Sequence, residues 1–227
     1  MRRTVTVLLI GLTAVVATAC MPTYPTPAPG PRWNTHTIAR GRHDATVQRG
    51  TSAPAPLLGL TRLAGRSYHL IFDASARYTI TDPVEPEDQL DWNKLPGLSD
   101  CGDVDLAQNG LMFAWRWRTD LVPRVLEVNA YWNDDGVHHW LDEPVLALTR
   151  AQVDARKPIW FRLRISNDRQ SYEFTVQRAG EPAPHTARVA RSCPGHPRGQ
   201  QKWAGGFYFG GTSVAPQRIR AWVHEPR

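Results

Sequence analysis

The side chains best suited to chemistry in this 227-residue chain sit at alternate positions within short apolar stretches. Glu127-Val-Asn129-Ala-Tyr131 sets a carboxylate, an amide and a phenol on one side of an extended segment, because successive strand side chains point to opposite faces. By the same count Arg116 and Arg118 stand off the apolar side of the 111–117 stretch, and Trp160, Arg162 and Arg164 off that of 159–165. His69, Arg77, Glu173 and Trp222 join them from other segments. Aromatic rings stack on sugar faces, and guanidinium forks bind carboxylates bidentately. The expected ligand-binding set is Arg116, Asn129, Tyr131, Trp160 and Arg162, and the expected partner is an acidic polysaccharide or cell-envelope glycan. In its sharpest form the expectation joins Arg116, Tyr131 and Trp160 in one site, which requires their strands to be neighbours. The plainer reading assigns these residues to two solvated outer faces, with long arginine chains covering the sheets.

A polysaccharide lyase needs a group that neutralises the uronate and a base, roles open to Asn129, Arg116, Tyr131 and His69. A glycosidase needs two carboxylates at a defined separation, and the clustered Glu-x-Asp-x-x-Glu strand of glucanase-like sequences is absent. No residue is assigned as catalytic. Asp100, Asp103 and Asp105 fall short of a calcium ligand set and read as a solvated acidic turn. His138 and His139 are adjacent, so on a strand their rings point apart and do not share one ion. No metal and no cofactor are expected. Phe209-Gly210-Gly211 lacks the Gly-Lys-Ser of a phosphate loop, and its glycines suit a bulge or a close strand approach.

The elements that must position these groups are strands. Tyr68, Leu70, Phe72, Ala74, Ala76 and Tyr78 face one way and His69, Asp73, Ser75 and Arg77 the other, and a similar two-sided alternation runs through Leu111–Trp117, Leu126–Trp132, Ile159–Ile165, Tyr172–Val176 and Ile219–Val223. Period-two patterns of this kind mark half-buried antiparallel strands. Asn133-Asp-Asp-Gly136 reads as a hairpin turn, since Asp-Gly tolerates positive φ, and Asn167-Asp-Arg169 as a second turn. The best helical window, 149–155, is short. Ten or so strands predict an all-β domain, a two-sheet antiparallel β-sandwich of jelly-roll, concanavalin-like type, with a closed barrel as the competitor. Phe72, Trp115, Trp117, Phe161 and Phe174 are the predicted core, with Arg116 unburied between its tryptophans.

Arg2 and Arg3, an apolar run to Val16 and small residues before Cys20 have the pattern of a secretory signal ending at a lipidated cysteine. Residues 1–19 are therefore expected to be a lipoprotein signal peptide, and Cys20 the lipid attachment point that anchors the chain to the membrane outside the cytoplasm. Residues 20–32 carry five prolines and read as a semi-rigid spacer; residues 33–227 form the domain. The remaining cysteines, Cys101 and Cys193, are expected to pair in a disulfide. Net charge is +6, but arginine outnumbers lysine 24 to 3, a bias of GC-rich genomes that weakens arguments from arginine count. For an exported, anchored chain, acidic glycans or the anionic envelope surface fit this charge better than nucleic acid, which is not expected as a partner.

Two stretches carry a resemblance. Asp91-Trp-Asn-Lys-Leu-Pro-Gly-Leu-Ser-Asp-Cys101 with Asn109-Gly-Leu-Met-Phe-Ala-Trp-Arg-Trp117 is one, and Phe207-Tyr-Phe-Gly-Gly-Thr-Ser-Val-Ala-Pro-Gln-Arg-Ile219 the other. Together they resemble uncharacterised secreted bacterial proteins of concanavalin-like jelly-roll outline. The shared positions are Asn93, Lys94, Gly97, Ser99, Asp100, Asn109, Phe113, Trp115, Arg116, Trp117, Phe209, Gly210, Gly211 and Pro216. Gln217 and Arg218 replace the usual His-Asp pair, and Met112 a usual arginine. The resemblance implies a jelly roll and no established activity. The function expected is an anchored glycan-binding or envelope-interaction module, with a lyase or glycosidase on an acidic polysaccharide, or a purely structural lipoprotein, as alternatives.

Overall fold

A computed structural model describes residue 30 and residues 32–226. Residues 1–19, expected to be a signal, Cys20 and nearly all of the proline-rich segment lie outside the described residues. The strands, in chain order, begin with β1 (Asn34–Ile38), β2 (Ala45–Gln48), β3 (Gly59–Thr61), β4 (Gly65–Phe72) and β5 (Asn93–Lys94). They continue with β6 (Leu98–Ser99), β7 (Gly110–Arg118), β8 (Val125–Asp134), β9 (Val137–Trp140) and β10 (Leu146–Thr149). After a five-residue helix, α1 (Arg150–Asp154), come β11 (Ile159–Ile165), β12 (Ser171–Arg178), β13 (His185–Ala190), β14 (Lys202–Ala204) and β15 (Ile219–His224).

These strands form two antiparallel sheets, ordered β13-β12-β11-β4-β15-β1-β2 and β10-β8-β7-β6-β14-β3, with β5 beside β7 and β9 beside β8. The fold is the two-sheet antiparallel β-sandwich of jelly-roll type. Alternation decides what each sheet buries. Leu111, Phe113, Trp115 and Trp117 of β7 face inward with Leu126, Val128 and Ala130 of β8. They meet Tyr68, Leu70, Phe72, Phe161, Leu163 and Phe174 of the other sheet. Phe113 packs edge-on against Phe161 and Phe174 at 5.0 and 5.3 Å, and Phe72 lies 5.4 Å from Trp115. Each such side chain stabilises the fold by about 1.5–3 kcal/mol. Arg116, between its two buried tryptophans, is only half-buried, so the register is the one the sequence predicts.

Turn chemistry fits the connections. Asp135 and Gly136 take φ of +48° and +80° between β8 and β9, the left-handed pair of a two-residue hairpin. Thr149 caps α1 in a reciprocal capping box with Gln152. One expected strand ends early: the alternation from Tyr68 stops at Phe72. There the Asp73 carboxylate accepts from the Ser75 amide at 2.8 Å and starts a 3-10 turn over Ala74–Ala76.

Cys101 and Cys193 form the expected disulfide, 92 residues apart, with Cα atoms separated by 5.6 Å. Beside it Asp100 is fully buried, not solvated. Arg191 grips its two oxygens at 2.6 and 3.0 Å, and Lys202 approaches at 3.1 Å. Arg66 points inward and ties the sheets together, donating to the Gly97 and Leu57 carbonyls at 3.1 and 2.7 Å and pairing with Glu225.

Candidate functional site

The registers arrange the outer face of the eight-stranded sheet in rows. One row reads Tyr208, Lys94, Ala114, Asn129 across the bridge at β5, then β7 and β8. The next is Met112, Tyr131, Trp140; beyond it comes Gly110, Asn133, His138. On the other side lie Arg116, Glu127 and Ala147. Directly opposed antiparallel residues share a face with Cβ atoms about 5 Å apart, so these rows are neighbours in space.

The topology separates the expected ligand set. Arg116, Asn129 and Tyr131 lie on β7 and β8, whereas Trp160 and Arg162 lie on β11 of the other sheet, off its core face. The single site joining Arg116, Tyr131 and Trp160 is therefore not formed. His69 pairs with Trp160 on that second sheet and is equally remote. Parity placed the outward residues of β7, β8 and β11 but carried no information on which sheet a strand enters, and Arg77 lies beyond the end of β4 and on no strand.

Within the first sheet, Arg116 and Asn129 are committed to structure. Arg116 donates to Glu127 at 2.9 Å and to the Leu90 carbonyl at 3.1 Å, and its guanidinium lies 4.0 Å from the Trp92 ring centre. Glu127 also takes Arg118 at 2.8 Å, and Arg118 is held in turn by Asp120. Two arginines thus balance two carboxylates, leaving Nη2 of Arg116 without a hydrogen bond among the described residues. Asn129 is buried and donates to the Leu141 carbonyl at 2.7 Å, fastening β8 where its partner changes from β9 to β10.

Tyr131 sits differently, in a group that outward parity alone did not assemble. Ala114 has no bulk to fill its place in the row, and the Lys94 ammonium turns over the Tyr131 ring, 4.6 Å from its centre. The ammonium also donates to the Trp92 carbonyl at 2.6 Å. Burial pulls the Lys94 pKa down to about 8, against the opposing pull of the Asp91 carboxylate. Burial, aided by Asp91, drives the Tyr131 pKa upward, so the phenol stays protonated. Its hydroxyl makes no hydrogen bond among the described residues.

His138 completes the group, its ring centre 5.9 Å from that of Tyr131. Its Nδ1 is 2.7 Å from Oδ1 of Asn133, whose amide nitrogen donates to the Leu106 carbonyl. A carbonyl only accepts, so Asn133 must turn its oxygen toward the histidine and Nδ1 must carry the proton. The lone pair of the neutral ring is then on Nε2. Burial, the Lys94 charge and His139 all lower the His138 pKa and keep that ring neutral. His138 and His139 do point to opposite faces, as adjacent strand residues must; His139 stacks on Trp132 instead.

Exposed rings flank the group. Trp140 stacks on Tyr131 at 6.1 Å, and Tyr208 stacks on His43 at 5.4 Å. The Gly210-Gly211 turn explains how the Tyr208 segment lies so close to β5. A Cβ at Gly210 would stand 2.1 Å from the Trp92 carbonyl oxygen, and the Gly210 amide donates to Asn93 at 3.0 Å. The motifs around Lys94 and Tyr208 are thus two sides of one contact. The sequence signal for Lys94 was its place in the Asn-Lys-Leu-Pro-Gly motif, whereas nothing but register could bring in His138.

A protonated phenol, an imidazole with a free Nε2 and an ammonium can together hold a carboxylate and hydroxyls, and can exchange a proton with them. No protein-family model matches the chain, and no curated protein matches it. Among solved structures, alginate lyase vAL-1 from Chlorella virus is 11% identical over 90% of this chain and 87% of its own, with a TM-score of 0.42. Scytalido-glutamic peptidase with a transition state analog inhibitor is 7% identical over 85% of this chain and 64% of its own, with a TM-score of 0.30. Bacillus licheniformis β-glucanase is 8% identical over 89% and 68%, with a TM-score of 0.24. Likenesses this distant say nothing of activity, and the chemistry has to come from the residues themselves.

Proposed function

We propose that this chain is an extracytoplasmic protein, anchored through a lipid on Cys20, that binds an acidic polysaccharide on the outer face of its eight-stranded sheet. The observation behind this reading is the convergence of Lys94 and His138 on Tyr131, flanked by the half-exposed rings of Trp140 and Tyr208. The ammonium supplies charge for a uronate carboxylate, and the rings supply stacking for sugar faces. Calorimetry with polygalacturonate, alginate and a neutral glucan tests it. Lys94→Ala weakens only the acidic polymers, about tenfold, the scale of one charge-assisted hydrogen bond. Trp140→Ala weakens acidic and neutral chains alike. Unchanged affinity in both variants would refute the site. Fatty-acid labelling of wild type but not Cys20→Ala tests the anchor.

A second reading, uronate elimination, is favoured by one observation: Asn133 fixes the His138 tautomer that leaves Nε2 basic. Nε2 would take the proton α to the uronate carboxylate, and the carbon–oxygen bond to the leaving sugar would break as the double bond forms. The Tyr131 hydroxyl would protonate the departing oxygen. The new double bond absorbs in the ultraviolet. Absorbance growth that is lost in His138→Ala and Tyr131→Phe, with binding retained, would establish it; no growth in wild type on any uronate polymer would reject it.

A further inference from the structure

We infer that a groove at one end of the sandwich, lined by Arg77, Arg124 and Arg150, binds a phosphate group. Both sheets build it. Arg77 and Thr79 follow the 3-10 turn after β4, Trp117 comes from β7 and Arg124 precedes β8, while Thr149 and Arg150 join β10 to α1. The groove holds about 540 Å³, and its lining includes no acidic residue. Trp117 is three residues along β7 from Ala114, the partner of Lys94, or about 10 Å at strand spacing, and it faces the core while the Lys94 group lies on the sheet's outer face. The groove is therefore separate from the Lys94 group.

Its charge is under-compensated. Asp154, which is not among the lining residues, pairs with Arg77 at 2.9 Å and with Arg150 at 3.8 Å. Arg124 has no ion pair among the described residues. Three guanidinium groups against one carboxylate leave an excess of two positive charges, as many as a phosphate dianion brings. Arg77 is mostly buried, its side chain 17% exposed, and its Nε has no hydrogen-bond partner. A guanidinium already withdrawn from water gains more from an added anion than a solvated one does. Guanidinium forks also match the paired oxygens of phosphate, and the Thr79 and Thr149 hydroxyls add donors on the same lining. Phosphate could come from a soluble ester or from a lipid headgroup.

Isothermal titration of the full chain with inorganic phosphate, at constant ionic strength with chloride as control, tests the groove. Arg124 and Arg150 are exposed, so Arg124→Gln with Arg150→Gln should leave the fold intact and weaken phosphate at least tenfold. Arg62→Gln, an exposed arginine outside the groove, should change nothing. Vesicles of phosphatidic acid in phosphatidylcholine, mixed with the Cys20→Ala chain so that acylation plays no part, distinguish the sources. Sedimentation with the vesicles that the double substitution abolishes identifies a lipid headgroup; phosphate binding without sedimentation identifies a soluble phosphate. No phosphate binding by wild type, equal binding by the double variant, or equal weakening by Arg62→Gln overturns the site.

Discussion

His36 should make this protein acid-sensitive well above the pH at which carboxylates titrate. It sits at an inward position of β1, opposite Ala221 and Val47, fully buried, with neither ring nitrogen hydrogen-bonded. Burial, reinforced by the Arg66 charge, lowers its pKa from 6.5 to about 4. In the unfolded chain the ring protonates near its ordinary value, while in the fold it resists. Stability is thus complete above pH 6.5 and lost as pH falls toward 4. A shift of this size corresponds to about 3 kcal/mol in total, of which about 2 kcal/mol has gone by about pH 5. His36→Leu removes the titration and two unpartnered nitrogens together, so it should be at least as stable as wild type at neutral pH. Urea unfolding followed by tryptophan fluorescence at about pH 7.5, 6 and 5 gives the comparison. His69 and His138, also held below the usual histidine range by burial first, contribute equally to both proteins and cancel in the difference. The gap between variant and wild type should widen by about 2 kcal/mol between neutral pH and pH 5. Parallel stability curves over that range would refute the reasoning.

Asp100→Asn keeps the shape but leaves Arg191 and Lys202 buried without a counter-charge, and should cost about 3–5 kcal/mol in urea unfolding; a loss below about 1 kcal/mol would show that the cations are otherwise satisfied. Replacing Cys101 and Cys193 by Ala opens a loop spanning 92 residues and should lower stability by about 4 kcal/mol in the chain-entropy estimate, read from the denaturation midpoint. Gly210→Ala drives a methyl into the Trp92 carbonyl, so it should displace the strand that carries Lys94. Its effect on acidic-polymer affinity should match that of Lys94→Ala, and unchanged affinity would uncouple the glycine turn from the site.

Which side chains face the core was written in the chain. Period-two alternation placed Trp115, Trp117, Phe72, Phe161 and Phe174 inside and Arg116 between its neighbours, because a one-residue slip in register would expose every one of them. The Asp-Gly hairpin and the short helical window at 149–155 were legible for a similar reason: each is decided by residues close to one another in the chain. Asp100 was not. Its partners Arg191 and Lys202 lie about a hundred residues away, and an acidic stretch looks the same whether solvated or paired. The site divides along the same line. Tyr131 could be known as outward-facing from its own strand, but strand parity is blind to sheet membership, and β11 could have joined either layer. Only the tertiary structure decided that Trp160 and Arg162 lie on the far sheet, that Arg116 and Asn129 are spent on Glu127 and Leu141, and that Lys94 and His138 meet Tyr131. The physical reason is that strand pairing is non-local. Local pattern selects the face, while the order of strands in the sheet selects the neighbours, and chemistry depends on the neighbours.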